Sequence, residues 1–297
     1  MNWIKDLIEK TKIEPFVFSQ LNDLNCKLFV KRDDLIHNEI SGNKIRKLKH
    51  NLKFCIDNSL TGIITYGGAY SNHLLASAAA ANLANLKIIG RVRGNELNPE
   101  SNAVLKRCDD LGMDLEFLER SYFSKIKNQN GIVKINGNSF LSVPEGGSNL
   151  NGVEGCKEII SQLDEEFDYY CLAQGTTTTS IGIAQSIPKS SKLIVVPVLK
   201  GFQSEQEMTT IIGEAEFEKF KNQLIILNEF HFGGYSKSDS ILNDFIQDFN
   251  NQNSFEIEPF YTGKAMFALV DFLKSKNIRN KKVLFVHTGG LSKWKNS

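Results

Sequence analysis

Short apolar runs rich in β-branched and aromatic residues recur along the chain, at 28–31, 62–66, 87–91, 114–118, 140–143, 169–173, 193–198, 224–227 and 283–287. Between them the apolar positions take helical spacing, at about 44–57, 71–84, 99–111, 151–163, 179–187, 204–219, 238–249 and 262–275. Continuous apolar strands such as Leu193-Ile194-Val195-Val196 suit burial on both faces, which parallel sheets covered by helices provide. Alternation of strand and helix predicts an α/β fold with parallel-rich sheets. Several strands end in a polar, glycine-rich turn before the next helix: Gly67-Gly68-Ala69-Tyr70-Ser71, Gly146-Gly147-Ser148-Asn149, Gly175-Thr176-Thr177-Thr178-Thr179-Ser180 and Thr288-Gly289-Gly290. In open parallel sheets ligands bind just beyond the carboxyl ends of strands, so these turns are expected to gather around a ligand.

Composition narrows the function classes. A chain of 297 residues has room for one large or two modest domains. The formal net charge of +1 creates no field favouring nucleic acid or an anionic membrane. Phe is abundant, and its place within apolar runs marks it as core rather than as a ligand platform. Cys26, Cys55, Cys108, Cys156 and Cys171 are odd in number, scattered and without a CxxC pair. That argues against a disulfide framework and a zinc site and fits a reducing cytosol, so a cytoplasmic, metal-free protein is expected. The first residues lack a basic region followed by an apolar one, so no signal peptide is expected. No apolar run approaches the ~20 residues needed to span a bilayer. Gly-x-Ser-x-Gly and His-Glu-x-x-His patterns are absent, which removes the minimal parts of a serine hydrolase or a zinc hydrolase.

The chemistry-bearing segments lie on the strand-to-helix turns. Ser41-Gly42-Asn43-Lys44-Ile45-Arg46-Lys47-Leu48 puts Lys44 where a loop becomes a helix, with Lys31, Arg32, Arg46 and Lys47 nearby in sequence. Positive neighbours and any desolvation favour the neutral amine, the form needed for Schiff-base chemistry; a basic first turn of a surface helix is the plain alternative. The turn Gly175-Thr176-Thr177-Thr178-Thr179 offers hydroxyls and helix N–H groups, a neutral way to hold a phosphate. It lacks the Gly-Lys-Ser/Thr ending of a P-loop and the GxGxxG spacing of a dinucleotide site. Ser71 and Asn72 open an Ala-rich helix, where capping and ligand binding are compatible. His73 alone reads as structural. Thr288 could hydrogen-bond a ring nitrogen. Tyr261 and Tyr235 each follow a turn; Tyr261 could stack on a ring or act as an acid–base group but alone reads first as core, and Tyr235 alone is ambiguous.

Taken together and in this order, these segments resemble the 1-aminocyclopropane-1-carboxylate (ACC) deaminase / D-cysteine desulfhydrase family of pyridoxal-phosphate enzymes, over residues 29 to 290. The resemblance implies the two-domain, tryptophan-synthase-β-like architecture called fold type II. It implies a larger domain of residues 1–48 and 140–297 and a smaller one of 49–139. It makes Lys44 the covalent anchor of pyridoxal 5′-phosphate and the proton shuttle at the substrate α-carbon. Asn72 takes the cofactor 3′-oxygen, Ser71 faces the substrate, and Gly175 with Thr176, Thr177, Thr178 and Thr179 forms the phosphate cup. Thr288 neighbours the pyridine nitrogen, and Tyr235 and Tyr261 are the two active-site tyrosines. A homodimer acting on a small amino acid is the family expectation. Ring-opening members carry glutamate after the tyrosine matching Tyr261, whereas desulfhydrase-like members carry threonine. Thr262 therefore tilts the expectation toward β-elimination from D-cysteine, with ACC ring opening as the alternative and a pyridoxal-phosphate-binding protein without turnover as the reading from another class. Ser41 in place of a common glycine, and Leu74-Leu75 after His73, depart from the family pattern and bear on the substrate pocket.

Overall fold

The computed structural model of the chain describes residues 1–234 and 237–290; Tyr235 lies outside the described residues. The strands are β1 (Ile13–Pro15), β2 (Lys27–Arg32), β3 (Gly62–Gly67), β4 (Lys87–Arg93), β5 (Met113–Leu118), β6 (Gly131–Ile135), β7 (Asn138–Val143), β8 (Tyr169–Gln174), β9 (Lys192–Pro197), β10 (Leu224–Ile226) and β11 (Lys282–His287). The helices are α1 (Asn2–Ile8), α2 (Asn43–Asp57), α3 (Asn72–Leu83), α4 (Ala103–Asp110), α5 (Arg120–Ile126), α6 (Leu150–Ser161), α7 (Thr178–Ala184), α8 (Ser204–Ile212), α9 (Glu214–Glu218), α10 (Ser240–Gln252) and α11 (Thr262–Ser275). The chain divides into two compact units, Met1–Ile8 with Ile36–Cys156 and Glu9–Leu35 with residues 157–290.

The first unit holds a sheet of order β5-β4-β3-β7-β6, parallel throughout except for the β6–β7 hairpin. Successive residues of β3 serve opposite faces. Ile63 joins Leu141 and Val143 under Ile45, Leu48 and Leu52 of α2, while Ile64 and Tyr66 pack with Phe123 of α5. This is the two-sided burial that continuous apolar strands require. The second unit holds a sheet of order β1-β2-β11-β8-β9-β10, parallel except for the β1–β2 pair. One of its faces, with Val30, Cys171, Ile194, Val196 and Phe285, is covered by Leu242 and Phe249 of α10 and Met266 and Leu269 of α11. Phe16, Phe18, Phe245, Phe249 and Phe255 meet there through edge-on and tilted ring contacts, so these phenylalanines are core as expected.

Each of the nine expected strands forms, and the α/β class with parallel-rich sheets holds. The antiparallel edge strands β1 and β6 and the short helices α1 and α5 were not foreseen. The expected 204–219 helix is broken at Gly213, whose φ of 81° ends α8. The unit boundaries also differ from the expected 49–139 segment. β7 hydrogen-bonds to β3, and α2 shares the apolar cluster of β3 and β7, so residues 36–48 and 140–156 pack with the first unit. Gly155 of α6 permits this packing, because a Cβ there would lie 1.8 Å from the backbone oxygen of Arg46. Among the described residues no helix is long and apolar enough to cross a membrane. Gly155→Ala forces backbone against backbone and is expected to lower the unfolding free energy by at least about 2 kcal/mol, measured by urea denaturation.

Candidate active site

In the first unit, three segments gather around the start of α2. Gly42, at φ 62°, turns the chain into the helix and supplies no side-chain cap. Lys44 is half-buried, and its Nζ donates to Asn43 Oδ1 at 2.6 Å. One turn on, Lys47 is buried and its Nζ donates to the Gly146 carbonyl at 3.2 Å. The glycine turn after β7 runs close by: a Cβ on Gly147 would lie 3.2 Å from Lys47 Cβ and 3.4 Å from His73 Cε1. Ser71 is the N-cap of α3, its Oγ accepting from Leu74 N at 3.2 Å, and Asn72 is the first helical residue. Both are half-buried.

His73 follows them and is almost fully buried. The Thr65 hydroxyl donates to the Val143 carbonyl at 3.0 Å, so its oxygen accepts from His73 Nε2–H at 2.8 Å. That assigns the neutral Nε2–H tautomer and leaves Nδ1 as a buried acceptor with no hydrogen-bond partner. Burial, and after it the positive charges of Lys47 and Lys44, push the imidazole pKa down to about 3. The structural reading of His73 thus accounts for one ring nitrogen. The other is buried, and the charges of Lys47 and of the candidate anchor Lys44 act on the ring as a whole.

In the second unit, the threonine turn follows β8 and opens α7. Gly175 and Thr176 are half-buried, and Thr177, Thr178 and Thr179 are buried. Thr177 N and Oγ1 donate to Glu207 Oε1 at 3.4 and 3.3 Å. Gln174, the last residue of β8, fixes the turn from below: its Nε2 donates to Ser180 Oγ at 2.6 Å and its Oε1 accepts from Ser204 Oγ at 2.5 Å. Tyr261 lies against the turn, since a Cβ on Gly175 would sit 3.0 Å from Cε1 of its ring. At the end of β11, His287 Nδ1 accepts from Gly289 N at 3.3 Å, so Nε2–H donates to the Glu256 carbonyl at 2.8 Å. Thr288, almost buried, comes next. The β11 turn reaches the start of α11, because a Cβ on Gly290 would lie 3.1 Å from Glu258 Oε1.

Glu258 organises that helix start. Its Oε1 accepts from Tyr261 N and Thr262 N, both at 2.9 Å, and its Oε2 accepts from Phe260 N at 2.7 Å. Thr262 is fully buried: its Oγ1 accepts from Glu258 N at 2.9 Å and donates to Glu258 Oε1 at 3.2 Å. The sequence reading missed Glu258, Gln174 and Glu207 as site-shaping residues, and named Lys47 as a positive neighbour of Lys44 without its bond to Gly146. Glutamate is not among the preferred helix caps, and the partners of Gln174 and Lys47 come from distant segments.

A family model described as pyridoxal-phosphate dependent enzyme matches residues 4–289. The chain belongs to this family. A provisionally named ACC deaminase of Pyrococcus horikoshii is 29% identical over 284 residues, covering 91% of this chain and 86% of that one. The bifunctional D-cysteine desulfhydrase/ACC deaminase of Arabidopsis thaliana, a mitochondrial protein, is 27% identical over 304 residues, covering 89% and 72%. The crystal structure of an ACC deaminase homologue superposes with a TM-score of 0.76 at 24% identity, over 98% of this chain and 96% of that one. A hydrogen sulfide-producing enzyme of Fusobacterium nucleatum does so at 0.69 and 14%, over 99% of each. The last two likenesses place the chain in the same fold.

The chain is thus a pyridoxal-phosphate-dependent enzyme, and its donor set fits that cofactor. The first unit offers a primary amine at a helix start beside a second lysine, and the second offers hydroxyls and N–H groups at the head of α7. Among the described residues no group of three or more His, Cys, Asp or Glu side chains could hold a metal ion. The His73 environment makes a thermodynamic prediction. In the unfolded chain the imidazole takes up a proton near pH 6.5, whereas in the folded chain it stays neutral down to about 3. Stability therefore falls as pH drops from 6.5 toward 3, with a contribution of up to ~1.4 kcal/mol per pH unit. Unfolding free energies measured between pH 6.5 and 5 are expected to show this slope in the wild type and to lose it in His73→Gln.

Proposed function

We propose that the chain is a lyase of small amino acids that releases sulfide, ammonia and a 2-oxo acid from D-cysteine by β-elimination. The observation that carries this reading is the engagement of Thr262. Its hydroxyl is tied at both ends to Glu258 and is fully buried, so the position after Tyr261 offers no acid–base group to a substrate. The proton-carrying side chain of that segment is then the half-buried Tyr261 phenol. The name of the Arabidopsis thaliana relative supports a D-cysteine substrate.

When bound, the cofactor supplies the electron sink that makes bonds at the substrate α-carbon labile. We assign Lys44 as its covalent anchor. With cofactor and substrate bound, the Lys44 amine would take the proton as the α C–H bond breaks. The β C–S bond breaks with its electron pair leaving on sulfur, and Tyr261 gives that sulfur a proton. Lys44 would return its proton to the β-carbon, and water then replaces the nitrogen, yielding the 2-oxo acid and ammonia. Ser71 Oγ, already accepting from Leu74 N, keeps its O–H for the substrate carboxylate, and Asn72 would hold the cofactor 3′-oxygen. Gly175 and Thr176–Thr179 would hold the phosphate through neutral donors, Thr177 by exchanging its bonds to Glu207, and Thr288 would offer the ring nitrogen a hydroxyl rather than a carboxylate. Tyr235 is assigned by the family resemblance alone. On the same ground we assign a homodimer, and on the cysteine pattern a cytoplasmic location.

The second reading is ring opening of ACC to 2-oxobutyrate and ammonia, favoured by the names of the Pyrococcus horikoshii relative and of the structural neighbour. A substrate panel separates the two. Sulfide from D-cysteine, none from L-cysteine and no 2-oxobutyrate from ACC is the expected result; 2-oxobutyrate from ACC without sulfide release overturns the proposal. Tyr261→Phe is expected to lower kcat about 100-fold with cofactor affinity retained, the scale of losing a general acid, measured by steady-state kinetics and by absorbance titration of pyridoxal phosphate.

A further inference from the structure

Glu258 is a carboxylate that is 8% exposed, and three of the four hydrogen atoms it accepts come from backbone N–H groups of the residues around Tyr261. Its own backbone closes the same loop. Gly263 N donates to the Glu258 carbonyl at 2.8 Å, and Glu258 N donates to Thr262 Oγ1 at 2.9 Å. Residues 258–263 are therefore wound around one side chain. Such a carboxylate also matches the positive end of α11. Lys264, fully buried one turn into the helix, acts on the carboxylate electrostatically while its Nζ donates to the His231 and Gly234 carbonyls at 2.9 and 2.8 Å.

Tyr261 sits at the N-cap of α11 with a backbone outside the helical region, φ −131° and ψ −72°, and its side chain makes no capping bond. The Tyr261 carbonyl accepts from Ala265 N at 3.1 Å inside the helix, so the N–H side of its backbone is what must be fixed from outside. Glu258 holds it, through the Tyr261 N–H itself and the N–H on either side. The ring so directed lies on Gly175, the first residue of the threonine turn.

We infer that Glu258 is a positioning residue for Tyr261: its carboxylate fixes the backbone that holds the phenol against the Gly175 turn. The inference rests on the proton-donor role proposed for Tyr261. Its test is a double-mutant cycle of Glu258→Gln and Tyr261→Phe, with kcat, KM and cofactor affinity measured on the holoenzyme. Glu258→Gln keeps one oxygen but loses the negative charge and an acceptor for the N–H groups. It is expected to lower kcat about tenfold, in line with small misplacements of a reacting group, with KM and the absorbance titration of pyridoxal phosphate unchanged within twofold. In the Tyr261→Phe background the same substitution is expected to change kcat less than twofold, because the group it positions is already gone. Glu258→Asp, which keeps the charge, is expected to recover part of the loss. Equal losses in both backgrounds would show a cap acting on the fold at large and overturn the inference, as would wild-type kcat in Glu258→Gln. A Tyr261→Phe enzyme with wild-type kcat overturns the role of Tyr261 and the positioning role with it. An additive cycle on a Tyr261→Phe enzyme that is slow overturns the positioning role alone.

Discussion

The first turn of an α-helix leaves backbone N–H groups with no acceptor inside the helix, and four of the candidate segments sit at such turns. Parallel sheets deliver them there, because each strand must pass into a helix on its way to the next strand. The chain meets the constraint in two ways. At α3 and α11 a side chain, Ser71 or Glu258, supplies the acceptor and fixes the local backbone. At α2 the N-cap residue supplies none, and at α7 the N–H of the N-cap residue Thr177 donates to the distant Glu207. The segments carrying Lys44 and the threonine cluster begin there, at helix starts whose dipole favours an anionic ligand.

The two units contribute different electrostatics. Around α2 the charges are positive, from Lys44, Arg46 and Lys47, and the neighbouring His73 stays neutral because of its burial first and the charges of Lys47 and Lys44 second. Around α7 and α11 the donors are neutral hydroxyls and backbone N–H groups, and two carboxylates accept from them, Glu207 at Thr177 and the buried Glu258 at the start of α11. In the proposed reading, a phosphate at the threonine turn would meet hydroxyls and N–H groups rather than cations. In this account the reactive amine and its proton traffic are left to Lys44 and Tyr261.

Much of this was legible in the sequence because it is local. Buried parallel strands announce themselves as apolar runs, and the glycine- and threonine-rich turns mark their carboxyl ends. Lys44 was legible because Gly42-Asn43 precedes a helical pattern. What was missed depends on distant partners or weak patterning. β1 is three residues long and ends in Pro15, and β6 is five residues at a sheet edge with no buried position. The Asn136-Gly137 pair, with φ of 49° and 79°, was a hairpin signal that could have found β6. The unit boundary escaped because the pairing of β7 with β3 joins strands far apart in sequence. Glu258 escaped because its role is a set of hydrogen bonds within a turn, and its residue type is an unusual cap. Thr262 was legible as a difference from ring-opening relatives, but only the structure shows its hydroxyl bound to Glu258 at both ends.

The central claim is that Lys44 carries the cofactor. Borohydride reduction of the protein loaded with pyridoxal phosphate, followed by proteolysis and mass spectrometry of the peptides, tests it most directly. The account predicts the reduced pyridoxyl group on the peptide containing Lys44, and no such adduct in Lys44→Ala. Attachment to Lys47, Lys264 or another lysine, or a Lys44→Ala protein that still forms a reducible adduct at full stoichiometry, would contradict it.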